Sequence, residues 1–356
     1  MSIESRQARM DGVLDAEGLG ALIITDLVNV RYLSGYVGSN GVLVIAPGRR
    51  VLLTDSRYIA DARARTRGVD VVQAGRDLMD RLAEVVGAGR VGFEADQVSV
   101  ARRDRFAARL PSVELVPTVG LVEQLRVVKE PEEIVCIREA ARIADAAYAR
   151  IESEGFGGRT EAQVAWDLES AMRADGADGA SFAIIVASGP NGALPHAVPR
   201  RVPVERDTLV VVDMGALVGG YASDCTRTYA TGPLVPALAE AYAVCREAQR
   251  AALAACRPGV HTGDLDAVAR GIISDAGLGE RFGHGLGHGV GLNIHERPWL
   301  RQEGGEVLET GMVVTIEPGI YLDGVGGVRI EDLAVITDDG CEVLNGITTD
   351  LITTSA

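Results

Sequence analysis

Apolar and polar positions along this chain change period in an orderly way. Short apolar runs at Ala21–Thr25, Gly41–Ala46 and Arg50–Thr54 predict strands, and Arg90–Phe93 and Val113–Pro117 predict two more. Residues 4–19, Arg57–Thr66, Gly75–Gly87 and Ser99–Leu110 carry helical patterns between them. Strands alternating with helices imply an α/β domain over residues 1–125. It contains no phosphate-binding glycine loop and no catalytic triad.

A polar bridge, Arg126–Glu133, follows. Pro131 suits a first helical turn, and Glu132 and Glu133 suit the positive end of the helix dipole. Ile134, Ile137, Ala141, Ala144, Tyr148 and Ile151 then keep helical spacing. A second domain, 126–356, therefore opens with a helix over 131–154. Thr160 with Gln163 forms a capping box for a second helix ending near Gly176, and Phe182 opens a strand. The order recurs about a hundred residues later: helix 236–256, then a helix from Thr262 to about Ala276, then Phe282. This predicts an α+β domain of two similar halves related by a pseudo-twofold axis.

Each half ends in strands that carry two acids. Thr208–Met214 reads as a buried strand, Gly219-Gly220 as a turn, and Tyr221–Ala230 as the returning strand. A turn centred between Val218 and Gly219 sets Asp213 directly opposite Asp224. Met312–Glu317 and Val328–Ala334 flank a turn around Gly324, which sets Glu317 opposite Glu331. Opposed like charges destabilise a sheet unless something neutralises them, and a bound cation is the usual reason. Between the hairpins lies FGHGLGHGVGLNIHE, which holds His284, His288 and His295, three of the chain's five histidines. His288 is a fifth candidate ligand. His196 precedes the first acidic strand, and His261 reads as a solvated neighbour of a helix cap.

Four carboxylates and one imidazole exceed an ordinary zinc site. Two divalent ions fit the charge, and oxygen-rich ligation favours Mn2+, with Co2+ or Zn2+ able to bind. Two such ions can activate a shared water at neutral pH. The other histidines could then serve the substrate carbonyl or leaving nitrogen. Arg329 shares a strand face with Glu331, and could orient it or hold a substrate carboxylate.

Bulk properties narrow the field. A net charge of −15, from 35 basic and 50 acidic residues, argues against nucleic acid and anionic membranes. The 47% apolar content supports real cores. No run of 18 apolar residues occurs, and the N-terminus is polar without an apolar signal core. Five cysteines without CxxC spacing read as reduced thiols, which suggests a cytoplasmic protein. All basic residues but Lys129 are arginine, which reads as composition bias.

The runs LPHAVP, VVVDMGALVGGYASDCTRTYATG, GHGLGHGVGLNIHERP, TIEPGIY and GGVRIEDLAVIT resemble the metallopeptidase family with the pita-bread fold, and within it the short bacterial Xaa-Pro dipeptidases and aminopeptidases P. NVRYLSGY and LLTDSRY resemble that family's creatinase-type N-terminal domain. The resemblance covers essentially the whole chain. It implies that Asp213 binds one metal, Asp224 and Glu331 bridge both, and His288 and Glu317 bind the other. Glu317 would also act as general base and acid. His196 and His295 would contact the scissile amide, and His284 and Arg329 would shape the proline pocket. It implies a homodimer in which one subunit's N-terminal domain closes the other's site, with Tyr32 or Arg57 as candidate contributors. The expected reaction is hydrolysis of the bond between an N-terminal residue and proline. A metal-free creatinase-type amidinohydrolase and a non-catalytic binding module are the alternatives. Both fit poorly with an intact ligand set, and an N-terminal domain this large argues against a methionine aminopeptidase.

Overall fold

The computed structural model describes residues 2–356, which form two compact units meeting between Arg126 and Val127. The first unit runs α1 (Ile3–Ala16), β1 (Ala21–Ile24), α2 (Leu27–Ser34), β2 (Gly41–Ala46), β3 (Arg49–Thr54), α3 (Ile59–Arg65), β4 (Asp70–Gln73), α4 (Leu82–Val85), β5 (Gly89–Glu94), α5 (Val100–Arg109), β6 (Val113–Thr118) and α6 (Glu123–Arg126). Its six strands make one mixed sheet in the order β4-β3-β2-β1-β5-β6. Strand patterning placed five of these strands, and the fold adds three elements beyond the sequence expectation: α2, β4 and the short α6. Helix α2 is capped by the Asp26 side chain, which accepts from the Val28 N–H at 3.1 Å. Strand β4 is a four-residue edge paired parallel to β3.

The second unit opens with α7 (Pro131–Glu154) and α8 (Glu161–Ala174). Gln163 and Thr160 close the expected capping box at 2.9 and 3.2 Å. Then come β7 (Gly179–Ala180), β8 (Ile185–Ser188), β9 (Leu209–Met214), β10 (Ala216–Val218), β11 (Tyr221–Ala222) and β12 (Cys225–Ala230). Next are α9 (Pro236–Ala255), α10 (Thr262–Asp275), β13 (Gly287–Gly289), β14 (Glu296–Leu300), β15 (Val313–Ile316), β16 (Gly319–Leu322), β17 (Gly326–Arg329), β18 (Asp332–Ile336) and β19 (Cys341–Val343).

The two halves repeat in pairing as well as in order. Strands β12-β9-β8 form one antiparallel sheet, and β18-β15-β13 occupy the same places in the other. Val210, Val212 and Met214 of β9 pack with Ile143, Tyr148, Val164 and Leu168 of α7 and α8. Val314 and Ile316 of β15 pack with Leu238, Cys245, Leu265 and Ile273 of α9 and α10. Strand alternation therefore turns Asp213 and Glu317 away from the helices, to the face the two sheets share.

One register differs from expectation. Val218 pairs with Tyr221, so the turn is centred between Gly219 and Gly220, whose φ values are 56° and 80°. A two-residue hairpin of this type needs left-handed φ at both positions, which Val218 would resist and two glycines accept. Moving the centre by one residue places Thr226, not Asp224, opposite Asp213. Asp224 lies two positions away, between β11 and β12. In the second hairpin Ile316 pairs with Asp332 and Gly319 with Arg329, so both flanks keep the register that aligns Glu317 with Glu331.

Candidate metal centre

Asp213 lies within β9, and the other three acids stand where the ladders are interrupted. Asp224 separates β11 from β12, Glu317 separates β15 from β16, and Glu331 separates β17 from β18. A carboxylate in a gap can turn out of the pleat without unpairing a backbone ladder. His288 sits in the middle of β13, where the pairing with β14 shifts register. The glycines around it serve close packing: a Cβ on Gly287 would collide with the Thr315 carbonyl.

These elements bring all five candidate ligands together. Ligand atoms of Asp224, His288 and Glu331 lie within 4.8 Å of one another. His288 Nε2 is 3.1 Å from Glu317 Oε1 and 3.6 Å from Asp224 Oδ2. Its Nδ1 meets the Gly289 carbonyl at 3.1 Å, which assigns the proton to Nδ1 and leaves Nε2 to face the acids. Thr315 Oγ1 donates to Glu317 Oε1 at 3.0 Å, and Thr226 Oγ1 donates to Glu331 Oε2 at 2.7 Å.

Arg329 is buried and heavily engaged. Its Nη2 donates to Asp213 Oδ2 at 2.6 Å, Nε to Thr226 Oγ1 at 3.1 Å, and Nη1 to the Tyr321 hydroxyl at 2.8 Å and the Pro195 carbonyl at 3.1 Å. It thus hydrogen-bonds Asp213 directly and reaches Glu331 by hydrogen bonds through Thr226.

The donor set fits divalent cations. Four acids gather around one guanidinium, so most of their charge has no fixed counter-ion. Asp213 Oδ1 is buried and accepts no hydrogen bond, which is costly unless a cation completes it. In the protein alone, burial pushes the Asp213, Asp224 and Glu331 carboxyls up, and repulsion from neighbouring acids adds to it. Burial also works against ionised Glu317, but the hydrogen bond and charge of His288 outweigh it and hold the carboxyl at about 2. His288 is raised correspondingly: burial disfavours its cation, and Glu317 overcomes that. Such acids ionise together only against added positive charge.

The centre forms the floor of a cavity of about 540 Å3. His196, His284 and His295 line it, and His261 is exposed elsewhere at the start of α10. His284 is fixed at both ring nitrogens, by the Gly285 carbonyl at 2.8 Å and the Tyr321 hydroxyl at 3.0 Å, and burial lowers its pKa. The His295 ring stands edge-on to His288 with centroids 4.5 Å apart. Sequence patterns did not single out Phe182, Trp299, Arg301 or Thr226 as site residues. The first three line the cavity, and only Trp299 and Arg301 carried a signal, through their nearness to the HERP run. Arg301 makes no side-chain hydrogen bond or ion pair among the described residues.

Comparison with known proteins decides the family. Residues 135–338 match metallopeptidase family M24, and residues 6–128 match the creatinase/prolidase N-terminal domain. The chain belongs to metallopeptidase family M24. It is 35% identical to the Xaa-Pro dipeptidase of Pyrococcus furiosus, over 98% of this chain and 100% of that one. The solved structure of an Xaa-Pro dipeptidase from Bacillus anthracis superposes with a TM-score of 0.96 at 39% identity, covering 99% of this chain and 100% of that one. An X-Pro aminopeptidase from Thermotoga maritima superposes with a TM-score of 0.89 at 33% identity, covering 98% and 99%. Membership carries the pita-bread fold, a metallopeptidase activity and a requirement for divalent metal ions. No helix among the described residues is long and apolar enough to cross a membrane.

Proposed function

We propose that this M24 member hydrolyses the peptide bond between an N-terminal residue and proline, with Xaa-Pro dipeptides as its preferred substrates. The observation that carries this is the convergence of Asp213, Asp224, His288, Glu317 and Glu331, with Asp213 Oδ1 buried and unpartnered, on the floor of a peptide-sized cavity. Asp213 would hold one ion, Asp224 and Glu331 both, and His288 and Glu317 the other. Two ions there would supply Lewis acidity and an activated water. Mn2+ is the ion the oxygen-rich set favours.

The chain's own residues then divide the remaining work. The carboxylate of Glu317, oriented by Thr315, takes a proton and returns it to the leaving proline nitrogen. His196 and His295, on the cavity wall, hydrogen-bond the scissile amide as charge develops on its oxygen. His284, pinned by Tyr321, and the apolar face of Phe182 bound the space for the proline ring. Arg301, unpaired at the cavity, suits the free carboxylate of a dipeptide. Names of relatives support the same reading, since those from Pyrococcus furiosus and Bacillus anthracis are Xaa-Pro dipeptidases.

We also read the protein as a cytoplasmic homodimer whose N-terminal unit closes the partner's site. Analytical ultracentrifugation, with Arg57→Ala assayed for activity, tests that part. The principal experiment gives the Mn2+-loaded protein an Xaa-Pro dipeptide and the matching Xaa-Pro-Yaa tripeptide. Faster cleavage of the dipeptide, with that preference lost in Arg301→Ala, is expected. Preference for the tripeptide would show an aminopeptidase P. Cleavage of neither would discard the peptidase assignment.

A further inference from the structure

Three histidines of the cavity, His196, His284 and His295, lie outside the ligand set, and each sits on irregular backbone with no ladder to fix it. Catalysis is sensitive to placement at this scale: a shift of about 1 Å can cost roughly a hundredfold in rate. Something must hold these loops.

Each loop is fastened by its own ion pair, in which the acid is buried. Glu161, the first residue of α8, is fully buried. Its carboxylate accepts from Ser188 N and Oγ at 2.8 Å each, from Asn191 Nδ2 at 3.0 Å, and from Arg200 N, Nε and Nη2 at 2.8, 3.0 and 2.7 Å. Ser188 and Arg200 are the two stems of the segment that carries His196, so one carboxylate ties both. Asp266 on α10 is also fully buried. It accepts from Arg270 Nε and Nη2 at 2.7 and 2.9 Å and from the Leu286 N–H at 3.1 Å. Arg270 in turn donates to the Phe282 carbonyl at 2.9 Å and to the carbonyl of His284 itself at 2.8 Å.

The third pair is Lys129 with Glu296, the residue after His295. Lys129 Nζ lies 2.9 Å from Glu296 Oε1, with both side chains buried, and also donates to the Val127 carbonyl at 3.1 Å. This is the chain's single lysine among 35 basic residues.

A buried ion pair seldom adds net stability over apolar packing, because desolvation offsets the attraction. What three such pairs share here is their address, at the base of one histidine loop each. We propose that Glu161–Arg200, Asp266–Arg270 and Lys129–Glu296 are positioning pairs that fix His196, His284 and His295 respectively. They touch neither the ligand cluster nor the substrate space. Their kinetic consequence rests on the Xaa-Pro hydrolase reading; their geometric one does not.

The test uses Zn2+-loaded protein labelled with 15N-histidine, whose five histidines give few enough imidazole signals to assign by single His→Gln variants. Arg200→Lys, Arg270→Lys and Lys129→Arg are compared with wild type; each keeps the charge and loses the geometry. Arg200→Gln is a second variant, at a side chain that is 35% exposed. Each variant is expected to keep its metal content and circular dichroism, to move the signals of its own histidine only, and to lower kcat on an Xaa-Pro dipeptide about tenfold or more with KM little changed. Variants that lose only thermal stability, with kcat and imidazole signals unmoved, would overturn the proposal. So would simultaneous movement of all three histidines. If wild type cleaves no Xaa-Pro peptide, the activity reading fails while the imidazole signals still decide the positioning.

Discussion

Thr226 is the residue that the glycine turn, by setting the register, puts at the centre of the site, and its hydroxyl links Arg329 to Glu331 by hydrogen bonds. It is fully buried, donates to Glu331 Oε2 at 2.7 Å and accepts from Arg329 Nε at 3.1 Å. Thr226→Val preserves the shape and removes both bonds. Bonds that involve a charged group are worth ~1.5–3 kcal/mol each, and Arg329 Nε would be left buried and unpaired. Part of that loss falls on the fold. The rest falls on the cations, since Glu331 would lose the donor that fixes its carboxylate.

Removal of such a supporting partner typically weakens metal binding about 10–100-fold. That corresponds to ~1.4–2.8 kcal/mol. Isothermal titration of the metal-free variant with Mn2+ should show this rise in Kd, and kcat should recover largely at saturating Mn2+. Thr226→Ser, which keeps the hydroxyl, should behave like wild type. A Kd within twofold of wild type for Thr226→Val would refute the role assigned to this hydroxyl.

Other perturbations follow from the same geometry. Chelation removes the charge that the four acids require, so Tm should fall and return on adding Mn2+; binding at a hundred times Kd is worth about 2.7 kcal/mol per site, and an unchanged calorimetric Tm would count against a metal centre. Gly215→Ala would drive a Cβ into the Ser223 carbonyl and Ser181 Oγ. Displacing that hairpin should cost ~1–3 kcal/mol in a denaturant titration and weaken metal binding with it. Glu161 gives a pH signature. Burial raises its carboxyl, but Arg200 and the N–H donors of Ser188 and Arg200 outweigh burial and hold it below the ordinary 4.5. A depressed folded-state pKa means the unfolded chain binds more protons in acid. Its stabilisation is therefore complete above about 4.5 and lost as pH falls through the lower folded value. The gap in urea midpoint between metal-free wild type and Glu161→Gln should narrow below that pH, and a gap constant with pH would sink this account.

The acids were legible in the sequence because each interrupts an apolar strand, and alternation alone gives its face. Glu317 and Glu331 could even be aligned, since the turn about Gly324 keeps one register on both sides of the break. The first hairpin was harder only because the position of Gly219-Gly220 within the turn decides the register, and one residue there moves the partner of Asp213 by two. Helix α2 had legible ends, Asp26 before it and Gly35 after it at φ 77°, but its eight residues span barely two turns, too few for the stripe of Leu27, Val30 and Leu33 to announce it.

The supporting groups were illegible for a different reason. Glu161 in a first helical turn and Asp266 four residues before Arg270 have the local pattern of exposed helical acids, and that pattern usually marks a solvated face. Nothing local says that both are fully buried; that follows from which strands and loops fold over α8 and α10. Lys129 alone left a trace, by its singularity, and its meaning emerges only beside Glu296. Ligands are declared by residue type against an apolar background. Groups that hold the machinery still are declared by burial, and burial belongs to the fold. Disabling a ligand should thus abolish metal binding, whereas disabling a positioning pair should leave the metal in place and slow the chemistry.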